Sequence, residues 1–135
     1  VKSKLLLIED NYADVFIFKE ALNNESFPAE LSVISNGRDA LKYFERSESG
    51  DLPDLVLMDL NLPQINGFEI LQKIKANIYF KNIPIVVLST STWALDKEKC
   101  KQLGAAEYFT KPIDFNGYAY IINSLKQLLK EKINS

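Results

Sequence analysis

The chain is 135 residues long, 47% hydrophobic and 25% charged, with a net charge of −2 and no histidine. That size bounds one ordinary globular domain with a sizeable core, expected over residues 1–135. The absence of any like-charged block excludes a nucleic-acid footprint and a polybasic membrane patch, and the absence of histidine excludes a His-based triad, an imidazole metal ligand and a phosphohistidine carried by the chain itself.

"VKSKLLLIED" reaches an acidic pair before a signal-peptide core could form, and no apolar run approaches a membrane span, so a cytoplasmic protein is expected. Leu5 to Ile8 reads as a short buried strand. The loop "EDNYAD" then runs into a helix with Val15, Phe16, Phe18, Lys19 and Leu22 on alternating faces, ending near Asn23 and Asn24. Ala29 to Ser35 is a second strand, and "NGRDALKYFER" opens on turn residues before placing Ala40, Leu41 and Phe44 on one helical face. "SESGDLP" is a loop, Asp54 to Met58 a third strand, and Phe68 to Ala76 a helix with Ile70, Leu71 and Ile74 inward.

Ile83 to Ser89 is a fourth strand, after which "STSTW", with Ser91 and Thr92 as cap residues, leads into a charged helix stopping at Gly104. In that helix Cys100, the single cysteine, can form no internal disulfide and reads as a buried small hydrophobe. "EYFT" is a short fifth strand and "KP" a sharp turn. The last helix starts near Asp114 or Asn116 and runs to about Lys132, with Tyr118, Ile121, Ile122, Leu125, Leu128 and Leu129 on one stripe. Five strands alternating with five helices predict an α/β fold, a parallel sheet wrapped by helices on both faces.

In such a sheet chemistry collects at the carboxyl ends of the strands. Those ends hold Glu9 and Asp10, Asp59, Ser89 and Thr90, and Lys111. At ~5 Å and an effective dielectric near 20, each carboxylate pair repels by roughly 3 kcal/mol, so the grouping calls for a cation. Oxygen donors with room for waters suit Mg²⁺. A carboxylate beside Mg²⁺ can attack phosphorus while metal and lysine neutralise the phosphoryl oxygens, which gives a purpose to Asp59, set directly after the apolar run of the third strand.

"LLLIEDN", "PDLVLMDLNLPQINGFEIL", "IPIVVLSTS" and "GAAEYFTKP", in this order and at fitting spacing, resemble the receiver domains of two-component response regulators. The resemblance covers essentially the whole chain. "LIEDNYADV" and "DLNLPQINGFEIL" look most like small single-domain regulators that accompany phytochrome-type histidine kinases. The resemblance implies the CheY-like, flavodoxin-like sheet order 2-1-3-4-5. It implies Asp59 as phosphoacceptor, Glu9 and Asp10 as the acidic pair, and the Asn61 backbone carbonyl as a third metal ligand. Lys111 would pair with the phosphoryl group, Ser89 and Tyr108 would be the switch hydroxyl and switch aromatic, and the Lys111–Pro112 bond would be cis. Two departures stand out. Ser89 replaces the commoner threonine, losing the methyl that stiffens χ1, and Glu9 replaces the commoner aspartate, which leaves reach for a water-mediated metal contact.

Each residue also has a plainer reading. Asp59 can cap a turn, Glu9 and Asp10 can be a solvated loop, Lys111 a turn residue, Tyr108 an edge aromatic. The receiver reading prevails because the plain ones would have to coincide at every strand end. A haloacid-dehalogenase-type enzyme would need a second aspartate two positions after the nucleophile, where Asn61 stands. A flavodoxin-like carrier would need a phosphate-binding loop where "EDNYAD" lies. A receiver-shaped interaction module without phosphorylation differs only in an assay.

The chain ends soon after its fifth helix, so no output domain is expected, and catalysis is limited to its own phosphorylation and dephosphorylation. A sensor histidine kinase or histidine phosphotransfer protein is the expected donor. Output is expected through the face of the fourth helix, fifth strand and fifth helix, where Tyr120 lies off the apolar stripe and a homodimer could form.

Overall fold

A computed structural model describes residues 2–45 and 50–134. The elements are β1 (Ser3–Ile8), α1 (Tyr12–Asn24), β2 (Ala29–Ile34), α2 (Gly37–Phe44), β3 (Leu55–Asp59), α3 (Gly67–Ala76), β4 (Ile85–Ser89), α4 (Ala94–Gln102), β5 (Glu107–Thr110) and α5 (Gly117–Asn134). All strand pairs are parallel and the order is β2-β1-β3-β4-β5, as the resemblance implied. Expected boundaries move only slightly: β4 starts at Ile85 rather than Ile83, α4 stops two residues before Gly104, and α5 starts at Gly117, where the Asp114 side chain accepts from the Gly117 N–H at 3.1 Å. Part of the expected "SESGDLP" loop lies outside the described residues.

Side-chain alternation along the central strands builds two cores. Leu5, Leu7, Leu55, Leu57, Val86 and Leu88 meet Val15, Phe18 and Leu22 of α1 and Tyr118, Ile121, Ile122 and Leu125 of α5. Leu6, Ile8, Val56, Met58, Ile85 and Val87 meet Ala40 and Phe44 of α2, Ile70, Leu71 and Ile74 of α3, and Cys100 of α4. Being covered on both faces, β3 and β4 are buried at every residue, whereas the edge strands β2 and β5 are partly exposed. Leu41 and Leu128 are half-buried at the margins of their stripes, and Phe16 is exposed. Phe80, in the turn after α3, is a core residue outside every expected element, fully buried and edge-on to Phe44.

Two local devices bring the helix starts to the sheet edge. Asn11 caps α1 by accepting from the N–H groups of Ala13 and Asp14 at 2.9 and 3.3 Å. At the start of α3, a Cβ on Gly67 would lie 2.6 Å from the Leu60 Cα, so only glycine lets α3 begin against the strand end that carries Asp59. The expected cis bond at Lys111–Pro112 is corrected: no peptide bond among the described residues is cis, and this one takes the lower-energy trans form.

Candidate functional site

The period of two explains which side chains converge. Leu5 and Leu7, Leu55 and Leu57, and Phe109 all face the α1/α5 core, so continuing each strand places Glu9, Asp59 and Lys111 on that same side at the carboxyl edge. The backbone carries the ladder past the last strand residues: the Glu9 N–H donates to the Ile34 carbonyl at 3.0 Å and the Lys111 N–H to the Ser89 carbonyl at 2.8 Å. Ser89 has the opposite parity and falls on the side of α4.

The side chains meet where the backbone aims them. Lys111 Nζ lies 2.5 Å from Glu9 Oε1, 2.8 Å from Asp14 Oδ2 and 3.0 Å from Asp59 Oδ2. Glu9 and Asp59 are buried. The other oxygen of Asp59, Oδ1, accepts the Asn61 N–H at 3.0 Å, and Glu9 Oε2 accepts the Asn11 N–H at 3.2 Å. Burial, reinforced by the charge of Asp59, pushes the Glu9 carboxyl up to about 7 against the opposing pull of Lys111. Burial would lower the Lys111 ammonium, but its bonds to Asp14, Glu9 and Asp59 prevail and hold it above the ordinary lysine range. Glu9 and Asp59 therefore sit beside a fixed positive charge on the side of α1.

Asp10 is exposed. One oxygen each from Glu9, Asp10 and Asp59 lies within 4.8 Å of the others. These three carboxylates, Asp10 exposed and Glu9 and Asp59 buried, form an all-oxygen donor set of the kind hard divalent cations take, so the residues fit the metal the sequence called for.

On the α4 side Ser89 is fully buried. The Asn61 side-chain amide donates to Ser89 Oγ and Thr90 Oγ1, both at 3.4 Å, so one residue touches Asp59 through its backbone and both hydroxyls through its side chain. Ser89 Oγ also accepts the Ser91 N–H at 3.1 Å. The Tyr108 hydroxyl donates to the Ser91 carbonyl at 2.7 Å, with the tyrosine half-buried. Ser91 is more than the expected cap residue: its hydroxyl donates to Asp96 at 2.8 Å and accepts from the Trp93 N–H at 3.2 Å, tying the start of α4 to this hydrogen-bonded chain.

All eight sequence-picked residues, Glu9, Asp10, Asp59, Asn61, Ser89, Thr90, Tyr108 and Lys111, thus come to one edge, in two groups joined by Asn61. Asp14 was missed. An aspartate in a first helical turn reads as a helix-dipole residue, and only the placement of α1 beside β5's exit reveals that it reaches Lys111.

Comparison with known proteins agrees with this geometry. The response regulator receiver domain model matches residues 5–123. The response regulator Rcp1 of Synechocystis sp. is 31% identical over 96% of this chain and 90% of its own length, and its Mn²⁺-bound crystal structure superposes with a TM-score of 0.80. The phosphorylated cyanobacterial phytochrome response regulator RcpA is 33% identical, with a TM-score of 0.84 covering 98% of this chain and 96% of that one. Sporulation initiation phosphotransferase F of Bacillus subtilis is 30% identical over 99% of both chains. With its strand order, its buried strand-end aspartate and likeness along nearly its full length, the chain belongs to the response regulator receiver domain family, the phosphorylation-dependent switches of two-component signalling.

Proposed function

We propose that Asp59 is the phosphoacceptor and that residues 1–135 act as one receiver unit whose only chemistry is its own phosphorylation and dephosphorylation. The observation that carries this is the setting of Asp59, buried at the end of a central strand with Lys111 Nζ 3.0 Å away and the Glu9 and Asp10 carboxylates beside it. One Asp59 oxygen attacks the phosphorus of a partner's phosphohistidine. The new O–P bond forms as the P–N bond breaks, its electron pair returns to the imidazole nitrogen, and that nitrogen takes a proton from solvent. Asp10, Asp59 and the Asn61 carbonyl, with Glu9 beside them, would hold Mg²⁺, which would supply charge neutralisation there. The metal-bound state of Rcp1 and the phosphorylated state of RcpA support this reading.

Lys111 then donates to one phosphoryl oxygen and Ser89 to another, with Thr90 beside it. Drawing Ser89 inward alters the chain through Ser91 to Tyr108, and so the face of α4, β5 and α5. On that face Tyr120 is 71% exposed and stacks edge-on against Phe109 at 5.9 Å, and a groove of about 520 Å³ runs between α4 and β5 past Ala94, Lys97, Lys101 and Tyr108. This face is where a homodimer or downstream protein docks; nucleic acid and membrane are not partners in this reading. A sensor histidine kinase or histidine phosphotransfer protein is the donor. No helix among the described residues is long and apolar enough to cross a membrane, and the site of action is proposed as the cytoplasm.

The test is incubation with acetyl phosphate and Mg²⁺ followed by intact-mass measurement. Wild type gains one phosphoryl group; Asp59→Asn, and wild type in EDTA, gain none. No adduct on wild type would leave an interaction module that works without phosphorylation.

A further inference from the structure

A lysine ammonium has three N–H donors, and Lys111 spends all three on carboxylates: Glu9, Asp14 and Asp59. None is left for a phosphoryl oxygen. Under the reading of Asp59 as phosphoacceptor, on which this inference rests, one of the three bonds must be released before Lys111 can serve the phosphoryl group. The three partners differ in burial. The side chains of Glu9 and Asp59 are 3% and 7% exposed and that of Asp14 is 28% exposed. Phosphorylation turns the Asp59 carboxylate into an acyl phosphate and so frees the N–H it held, while the buried Glu9 keeps its cation because losing it would leave that carboxylate uncompensated. The partly exposed Asp14 is then the carboxylate whose pull the phosphoryl oxygens must overcome to draw the ammonium to themselves.

We propose that Asp14 is a positioning residue, a tether that holds the Lys111 ammonium toward α1 in the resting state and competes with the phosphoryl group for it. The tether is well built. Asp14 sits in the first turn of α1, where its backbone N–H is held by Asn11 Oδ1 at 3.3 Å, and the same Asn11 donates its backbone N–H to Glu9 Oε2 at 3.2 Å. One cap residue thus aligns both the helix-borne and the strand-borne carboxylate on Lys111. Asp14 also adds a negative charge beside the ammonium that an anionic phosphoryl group must reach. Both effects act in one direction, raising the cost of placing a phosphoryl group on Asp59 and favouring its loss.

Replacing a charge-assisted bond by a neutral one roughly halves its strength. Asp14→Asn is expected to bind beryllofluoride, in saturating Mg²⁺, about 5-fold more tightly than wild type, and Asp14→Ala at least as tightly. Acetyl phosphate labelling should be faster and loss of the phosphoryl group slower by similar factors. Asp14→Glu restores the carboxylate and is expected to return the affinity toward wild type. A purely structural aspartate at a helix start would lower the melting temperature in Asp14→Ala and leave beryllofluoride affinity unchanged, so calorimetric affinity and melting are measured together. Wild type that binds beryllofluoride beside variants that bind it equally or more weakly overturns the tether alone. Wild type that takes neither beryllofluoride nor phosphoryl group overturns the phosphoacceptor reading and the tether with it.

Discussion

The two flanks of the carboxyl edge are built from opposite chemistry. Toward α1, Lys111 is locked by ion pairs to Glu9, Asp14 and Asp59. Toward α4, Ser89, Ser91 and Tyr108 are linked by single neutral hydrogen bonds. Taking charge out of water is costly unless it is paired, and a paired cluster gives way only with a large penalty, whereas a neutral bond exchanged for another costs about 1 kcal/mol. The charged flank is suited to holding a reacting group still, the neutral flank to moving in response. Strand alternation separates them: Asp59 and Ser89 lie on adjacent strands with opposite parity, and Asn61 bonds to both.

The comparison can be broken most severely at Asp59. Asp59→Asn keeps the size of the side chain and removes the proposed nucleophile, so phosphoryl uptake from acetyl phosphate should fall by at least about 100-fold while the amide spectrum of the α4 flank stays that of wild type; uptake within tenfold of wild type would remove Asp59 from its proposed role. Next in size is Lys111→Met. It strands three carboxylates, two of them buried, and in EDTA should cost about 3–5 kcal/mol by urea denaturation, with Mg²⁺ restoring part of the loss. A cost below about 1 kcal/mol would show that the charged flank is no lock.

The neutral flank should break differently. Ser89→Ala should take up phosphoryl groups at a rate within a few fold of wild type and yet lose beryllofluoride-induced NMR shifts around Tyr108, because in the proposed function uptake needs Asp59 whereas response needs the hydroxyl. Wild-type shifts at Tyr108 would show that the signal travels another way. Tyr108→Phe removes only the bond to the Ser91 carbonyl, and about 1 kcal/mol of stability should go with it.

The smallest effect sharpens the comparison. Burial, with Asp96 nearby, pushes the Cys100 thiol up to about 11, so at pH 8 only about one thiol in a thousand is ionised. Disulfide reagents should therefore label Cys100 far more slowly than a free thiol, and beryllofluoride should change that rate if the α4 flank moves. The unfolded thiol titrates near 9 and binds fewer protons than the folded one between 9 and 11, so the thiol makes stability fall as pH rises across that window, and Cys100→Ala should make the fall shallower.

The alternation of strands and helices, the apolar runs of β3 and β4 and the helical stripes were legible because period and burial are written locally. Asp59, Glu9, Asp10 and Lys111 were legible because strand ends can be counted and a parallel sheet brings them together. Phe80 was not, since a turn has no period to mark its buried residue. Tyr120 could be read as exposed from its position off the α5 stripe, and at 71% it is.

By itself the sequence determined the number and type of the elements, the two-sided core and the residue types at each strand end, since each rests on spacing within a few positions of the chain. Only the tertiary structure decided what those residues touch. Asp14 and Lys111 are 97 positions apart and Asn61 and Thr90 are 29 apart; such pairs meet because α1 packs on the sheet face to which the end of β5 points Lys111 and β4 lies next to β3. Local spacing carries a helix's face and a strand's parity, whereas the partner across the sheet edge depends on how whole elements pack.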